Sequence, residues 1–189
     1  MISKKLINFI ECRKNEYRDM VFSATLRSMV KSPVKTVMDI GCGANPQRCV
    51  VATKKHYLVD PLPQRNSGIP CGIPICGTWE DALKVAAGEH IDTAMLFDVV
   101  EHLDKREALA LIDHTVELAE QVVIFTPKGF MQQDDGIWNT HRSGWEPHDF
   151  KGNWETKIFR GFHTVDFTGK KLCQPNDAIL AVHTKMGVI

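Results

Sequence analysis

Glycines and acidic residues lie at the carboxyl ends of the first two predicted strands of this chain. Thr36 to Ile40 is a β-branched and apolar run that leads into Gly41-Cys42-Gly43, and a second run, His56 to Asp60, is stopped by Pro61. Glycine lets the backbone approach a ligand closely, and an acid at the end of the next strand accepts hydrogen bonds from ribose hydroxyls. The pattern therefore predicts a ligand that carries a ribose.

Two further residues separate the possible ligands. A dinucleotide site needs a third glycine at the start of the following helix, and Pro46 stands there instead. Asp39 lies inside the strand end, where its carboxylate would repel a pyrophosphate but would suit a cation. These residues argue against a nicotinamide dehydrogenase and favour S-adenosylmethionine, whose amino group and sulfonium are both positively charged.

At this point the sequence resembles the class I S-adenosylmethionine-dependent methyltransferases, in particular the group with a Glu-His-Leu motif after the fourth strand. The resemblance covers roughly residues 34–161. It rests on several segments in the same order as in that family: 37–46, Val59-Asp60, 77–83, 97–103, 124–127 and 141–145.

The resemblance implies roles for particular residues. Asp39, Gly41, Cys42 and Gly43 would line the methionine end of the cofactor, and Asp60, with Pro61 beside it, would hold the ribose. Trp79 and Glu80 would flank the adenine, although a tryptophan on a short helix also fills space in many cores. Asp98 and Val99 would close the site beside the sulfonium.

Candidate catalytic residues follow the fourth and fifth strands. Glu101, His102 and His141 are the candidate general bases, which are needed only if the acceptor carries a proton that must be removed. Arg142, Glu146, His148 and Asp149 lie in the same polar region as His141. The long segment from Pro127 to Trp145 is expected to form a substrate wall or lid.

The sequence assigns no metal ligand outright, but it leaves a metal hypothesis open. Asp98-x-x-Glu101-His102 and His141 have the ligand types for a divalent cation. The set is similar to that of the metal-dependent small-RNA 2'-O-methyltransferases, with the shorter Asp98 where that family has glutamate. Metal-free relatives also carry the Glu-His-Leu tripeptide.

The elements that position these residues alternate. Apolar periodicity predicts a helix over 4–30, strands over 36–40, 56–60, 91–100 and 121–126, and helices over 79–87 and 105–119. A short strand is expected at 73–76, and two strands at 159–167 and 178–184 are separated by a polar turn, 169–176. This order predicts an α/β fold with a Rossmann-like doubly wound mixed sheet of about seven strands, the last antiparallel, and helices on both faces. We expect one domain, 1–189, with residues 1–31 as a helical cap on a core of 34–189.

Composition bounds the partners. Lys and Arg together number 23, as do Asp and Glu, so the formal net charge is +0. The chain therefore lacks the overall positive charge that drives general binding to nucleic acid, although a local basic patch would still allow such binding. The six cysteines form no CxxC pair, which favours reduced thiols and a cytoplasmic location. No segment is expected to span a membrane, and the oligomeric state is left open.

The sequence thus predicts a methyltransferase that uses S-adenosylmethionine and acts on an oxygen, nitrogen or carbon of a small-molecule or sugar-like acceptor. Enzymes that methylate exocyclic amines of DNA bases or glutamine carry prolines after the fourth strand, and Asp98-Val99-Val100-Glu101 has none. Two alternatives remain: a metal-dependent 2'-O-methyltransferase acting on RNA, and a catalytically silent protein that binds the cofactor and regulates a partner.

Overall fold

The chain forms a seven-stranded sheet in the computed structural model, which describes residues 4–43, 46–62, 68–134, 136–165 and 171–185. The strands are β1 (Val34–Ile40), β2 (Ala52–Asp60), β3 (Gly72–Cys76), β4 (Ile91–Phe97), β5 (Ala119–Pro127), β6 (Trp154–Val165) and β7 (Lys171–Thr184). Their order in the sheet is β3-β2-β1-β4-β5-β7-β6. β7 runs antiparallel to both of its neighbours, and β1 to β5 are mutually parallel.

Helices cover both faces of the sheet. The helices are α1 (Lys4–Met29), α2 (Trp79–Ala86), α3 (Lys105–Leu118) and the single turn α4 (Gly136–Asn139). Two 3₁₀ turns, Val100–His102 and Pro147–Asp149, complete the described helical structure. The predicted α/β class, the seven strands and the antiparallel last strand are therefore confirmed.

The strands alternate their side chains between two apolar layers, as period-two burial requires. One layer joins Met38 and Leu96 to α2 and α3, and the other joins Val37 and Met95 to the second half of α1. Phe22 of α1 packs edge-on against Phe125 with a ring-centroid distance of 4.8 Å. Full burial of each such side chain contributes about 1.5–3 kcal/mol.

The alternation of strands and helices is broken after β1 and again after β2, since no helix is described between β1 and β2 or between β2 and β3. Between β1 and β2 the described residues 41–43 and 46–51 form no helix, and Pro46 lies in this short connection. Since a parallel crossover usually carries a helix, this face of the sheet depends instead on α1. The role of residues 1–31 as a cap stays a prediction.

Two predicted boundaries need adjustment, and a third cannot be compared. β4 ends at Phe97 rather than at residue 100, because Asp98 adopts a left-handed backbone with φ of 52°. The polar turn expected at 169–176 is wrong over most of its length, since β7 already begins at Lys171 and is held by β6. The end of the strand expected at 159–167 lies outside the described residues.

Within the described part of the chain, no helix has both the length and the apolar character that crossing a membrane requires.

Candidate functional site

A cavity of about 610 Å³ opens at the carboxyl ends of the parallel strands. Parallel sheets bind ligands at this edge, where the strand order reverses between β1 and β4. The cavity is lined by every residue that the sequence assigned to the cofactor: Asp39, Gly41, Cys42, Gly43, Asp60, Pro61, Trp79, Glu80, Asp98 and Val99. The structure thus brings all ten together.

The turn after β1 requires glycine for two different reasons. Gly41 has a φ of +70°, and a Cβ there would lie 2.5 Å from Cγ2 of Val99. Gly43 has a φ of +57°, but a Cβ there would meet nothing within 4 Å. Gly41 therefore allows the loops after β1 and β4 to touch, whereas Gly43 leaves open space where a ligand can approach the backbone.

Asp60 holds the turn as well as facing the cavity. Its Oδ2 accepts a hydrogen bond from the Gly43 backbone N–H at 2.8 Å, and its Oδ1 accepts one from Leu62 N–H at 2.9 Å. Each carboxylate oxygen has a second acceptor position. Asp60 can thus accept ribose hydroxyls while it fixes the backbone of Gly43.

Asp39 is buried beneath the same turn. Its Oδ2 accepts a hydrogen bond from the Gln47 backbone N–H at 2.9 Å. Burial raises the pKa of Asp39 to about 7, the Gln47 hydrogen bond opposes that shift, and the nearby Asp60 adds to it. Burial, Asp39 and Asp60 also raise the pKa of the Cys42 thiol to about 12, so this thiol stays neutral.

Trp79 and Glu80 are the first two residues of α2, and both line the cavity. Thr78 is the N-cap of this helix, and its side chain contacts the carboxyl groups of Glu80 and Asp81. The Trp79 ring stacks against His114 at 6.0 Å, and its buried Nε1 has no hydrogen-bond partner. Trp79 therefore both packs against the core and lines the cavity.

The cavity is strongly acidic. Five of the described lining residues are carboxylic acids, and none is lysine or arginine; the acids are Asp39, Asp60, Glu80, Asp98 and Glu107. Such a lining attracts a cation and repels a pyrophosphate.

The three predicted catalytic residues form a second cluster beside this cavity. One ligand-type atom from each of Glu101, His102 and His141 lies within 4.8 Å of the others. The two imidazole rings meet edge to face with centroids 4.8 Å apart. Only His102 of the three also lines the cavity, so the cluster adjoins the cavity at that residue.

Hydrogen bonds orient the cluster. His141 Nδ1 lies 2.7 Å from the Met131 carbonyl, and His102 Nδ1 lies 3.4 Å from the Thr140 carbonyl. A neutral ring that donates from Nδ1 leaves Nε2 as an acceptor. Burial, followed by the charge of His141, lowers the pKa of His102 to about 4, and burial also lowers the pKa of His141. Both rings are therefore neutral near pH 7.

Glu101 is the most enclosed member of the cluster. Its Oε2 accepts a hydrogen bond from the Thr126 hydroxyl at 2.9 Å, but its buried Oε1 has no partner. Burial, followed by the charge of Asp98, raises the pKa of Glu101 well above its usual range. Asp98 lies close enough for its charge to act on the Glu101 carboxyl, but it does not belong to the cluster. A buried carboxyl oxygen without a partner is costly unless a ligand satisfies it.

The segment after β5 brings His141 to His102 because its far end is fixed to the turn after β4. The backbone N–H groups of Arg142 and Ser143 both donate to the Glu101 carbonyl, at 2.7 and 3.1 Å. Trp145 is fully buried, and Lys105 Nζ lies 3.5 Å from its ring centroid.

Other polar candidates of this region have structural roles. Lys105 pairs with Asp149 at 2.7 Å, and Lys128 pairs with Glu146 at 3.2 Å. His148 is exposed and lies outside the cluster.

Sequence reasoning missed several residues of the site. Thr126, near the end of the apolar strand β5, bonds Glu101. The lining also includes Gln47, Leu103, Glu107, Trp138 and Asn139. Thr126 follows Phe125 directly, so a polar residue at a strand end was the available signal. No comparable signal marked Trp138, because its position depends on how the segment after β5 folds back.

Solved structures share this fold. A small RNA methyltransferase, HEN1, matches 95% of this chain with a TM-score of 0.52 and 14% identity, and the chain spans 26% of that protein. A SAM-dependent methyltransferase from Archaeoglobus fulgidus matches 89% of this chain and 94% of its own, with a TM-score of 0.59 and 18% identity.

A third structure contains the cofactor. Magnesium protoporphyrin IX methyltransferase from Synechocystis PCC 6803, with bound SAM, matches 97% of this chain and 86% of its own, with a TM-score of 0.52 and 15% identity. No family model matches the sequence, and no curated protein matches it. The chain thus has the Rossmann-like fold of class I S-adenosylmethionine-dependent methyltransferases.

Proposed function

We propose that this protein is a methyltransferase that binds S-adenosylmethionine in the acidic cavity. The observation that carries the proposal is the lining of that cavity, with five carboxylic acids and neither lysine nor arginine among its described residues. A sulfonium and an ammonium group suit this lining, whereas the pyrophosphate of a dinucleotide does not. The shared fold and the bound SAM of one neighbour agree with this choice.

Different lining residues would bind different parts of the cofactor. Asp60 would accept the ribose hydroxyls, the backbone around Gly41 and Gly43 would approach the methionine part, and Asp39 would face its ammonium group. Trp79 and Glu80 would flank the adenine. When bound, the cofactor would supply an electrophilic methyl group.

The protein's own contribution is alignment and exclusion of water. Methyl transfer requires the acceptor atom, the methyl carbon and the sulfur to lie in line, and positioning alone can supply most of the rate. His102 lines the cavity as a neutral imidazole, so it can accept a proton from an acceptor hydroxyl or amine. We propose an oxygen, nitrogen or carbon of a small-molecule or sugar-like compound as the acceptor.

Calorimetric titration tests the proposal. S-adenosylmethionine and its demethylated product, S-adenosylhomocysteine, should both bind, and NAD should not. Asp60→Ala should weaken the binding of both adenosyl compounds by about 1.5–3 kcal/mol, the contribution of a hydrogen bond to a charged group. Heat from NAD, or none from either adenosyl compound, would refute the proposal.

A metal-dependent form of the reaction is the second candidate, and the free atoms of the cluster favour it. The unpartnered Oε1 of Glu101 and the Nε2 acceptors of His102 and His141 fit a divalent cation that prefers nitrogen and oxygen ligands. The carbonyls that hold each Nδ1 are the usual outer partners of ligating histidines. These three residues would hold the ion, which would supply a Lewis acid for an acceptor hydroxyl.

This second candidate includes the ribose 2'-hydroxyl of RNA as acceptor, in line with the small RNA methyltransferase among the structural neighbours. The formal net charge of +0 argues against broad RNA binding. The folded segment that brings His141 to His102 also favours an enzyme over a silent cofactor-binding regulator.

Titration with Mn²⁺ tests the metal site independently of any acceptor. Wild-type protein saturated with S-adenosylhomocysteine should bind the ion, and Glu101→Gln and His141→Asn should each weaken that binding at least about tenfold. His148→Asn is the matched control, since this exposed histidine lies outside the cluster. Equal Mn²⁺ affinity in all four proteins would exclude the proposed ligands.

A further inference from the structure

The indole of Trp138 is exposed on the wall of the cavity. Its side chain is 51% exposed, and it lines the cavity together with His102 and Asn139. Tryptophan usually buries a large apolar area. Within the described part of the chain, Trp138 makes no ring contact with another aromatic side chain. Packing against other aromatic rings therefore does not explain why this indole lies at the cavity wall.

The turn that carries Trp138 is held by other residues. The Thr140 hydroxyl bonds the Gly136 carbonyl at 2.7 Å and Asp134 Oδ1 at 3.0 Å. Gln133 Nε2 donates a hydrogen bond to the Asn139 backbone carbonyl at 2.9 Å. The backbone carbonyl of Gln133 accepts a hydrogen bond from the His141 backbone N–H, also at 2.9 Å. The turn therefore forms without help from the indole, which is presented in a defined place three positions before His141.

Trp138 belongs to a part of the lining that the cofactor assignment leaves free. This part also contains Leu103, Glu107 and Asn139 and continues to His102, the residue that joins the cavity to the cluster. An aliphatic chain would need a continuous apolar wall, and most of these neighbours are polar. A planar ring needs only one aromatic face, with polar groups around its edge.

We propose that Trp138 selects the acceptor by stacking against a planar aromatic ring in it, next to the group that is methylated. The proposal rests on the proposed methyltransferase function and deepens it by naming a structural requirement of the acceptor. Trp138 would be a specificity residue, because stacking orients the acceptor and leaves the transfer step to the atoms near His102.

Matched pairs of small probes test this idea on wild-type protein saturated with S-adenosylhomocysteine. Uridine is compared with ribose, and catechol with 1,2-cyclohexanediol, by calorimetry at millimolar concentration. Each aromatic probe should bind more tightly than its partner. Trp138→Ala should weaken the aromatic probes roughly fivefold or more, as expected for loss of a stacking face, and should leave the non-aromatic ones unchanged.

Two variants make the result specific. Trp138→Phe keeps an aromatic face and should retain most of the affinity for the aromatic probes. Phe130→Ala is the matched control, because Phe130 is 60% exposed on the same segment but lies outside the lining. This control should bind all the probes as the wild-type protein does. The proposal is overturned if aromatic probes bind no better than their partners or if Trp138→Ala binds them normally. It is also overturned if Trp138→Ala mainly loses S-adenosylhomocysteine. Failure of wild-type protein to bind S-adenosylhomocysteine would instead refute the proposed function.

Discussion

The acidic cavity and the Glu101–His102–His141 cluster are adjacent, but they are built in different ways. The cavity turn after β1 is local, since Gly41 and Gly43 adopt their positive φ angles within a few residues of Asp39. The cluster joins His102 to a residue 39 positions later through hydrogen bonds from Arg142 and Ser143 to Glu101. Cofactor binding and cluster geometry should therefore respond to different substitutions.

The largest expected effect is a loss of stability when the packing that supports the cluster is removed. Trp145→Ala removes a fully buried ring and should lower the free energy of unfolding by about 3–5 kcal/mol, as large-to-small core changes do. Denaturant unfolding measures it. At temperatures where the variant stays folded, Mn²⁺ affinity should fall more than S-adenosylhomocysteine affinity, and an equal fall in both would show that the two regions are not separable.

The next effect is on the cavity turn. Gly41→Ala should destabilise the protein by about 2–5 kcal/mol, because left-handed strain adds to the clash with Val99. Gly43→Ala is the matched control, since its Cβ enters open space and only strain of about 1–2 kcal/mol applies. Chemical denaturation of both variants checks the difference, and equal destabilisation would contradict the contact between the two loops.

A smaller effect should be confined to the cluster. Thr126→Val removes the hydroxyl that bonds Glu101 Oε2 and should weaken Mn²⁺ binding about 10- to 100-fold, the usual cost of losing an outer partner of a ligand. Titrations with Mn²⁺ and with S-adenosylhomocysteine separate the two regions. If Thr126→Val loses affinity for S-adenosylhomocysteine but keeps its affinity for Mn²⁺, Thr126 supports the cavity and not the cluster.

The weakest effect is the pH dependence of the cavity. The pKa of Asp39 is about 7 in the free protein, so the carboxylate that a cation prefers forms as the pH rises through that value. Affinity for S-adenosylmethionine should rise about three- to tenfold between pH 6 and 7.5, while its amino group stays largely charged. Asp39→Asn should remove most of the rise, and an identical pH profile in this variant would exclude Asp39 as the cause.

The same carboxyl affects stability with the opposite dependence on pH. The ordinary pKa of an aspartate is 3.8, and that of Asp39 is about 7 in the folded chain, so the folded state binds more protons between these values. Its contribution to the free energy of unfolding therefore falls as the pH rises from about 4 to 7.

The sequence predicts the cavity better than it predicts the cluster. Gly41 and Asp98 directly follow β1 and β4, and Asp60 is the last residue of β2. Parallel strands bring their carboxyl ends to one edge, so periodicity and turn residues place these residues together. His141 is different, because nothing near it in the chain shows that Arg142 and Ser143 will bond Glu101. Trp138 was missed for the same reason, whereas Thr126 carried a local signal, a polar residue at the end of an apolar strand. The missing helix between β1 and β2 was signalled only by Pro46.

A crystal structure of the protein with S-adenosylhomocysteine would test the proposed cofactor site most directly. We expect the ribose hydroxyls against Asp60, the adenine beside Trp79 and the amino group facing Asp39, with the thioether sulfur directed toward the side of the cavity that His102 lines. Density for the compound anywhere outside this cavity, or a reversed orientation with the adenine at Asp39, would contradict the proposed site.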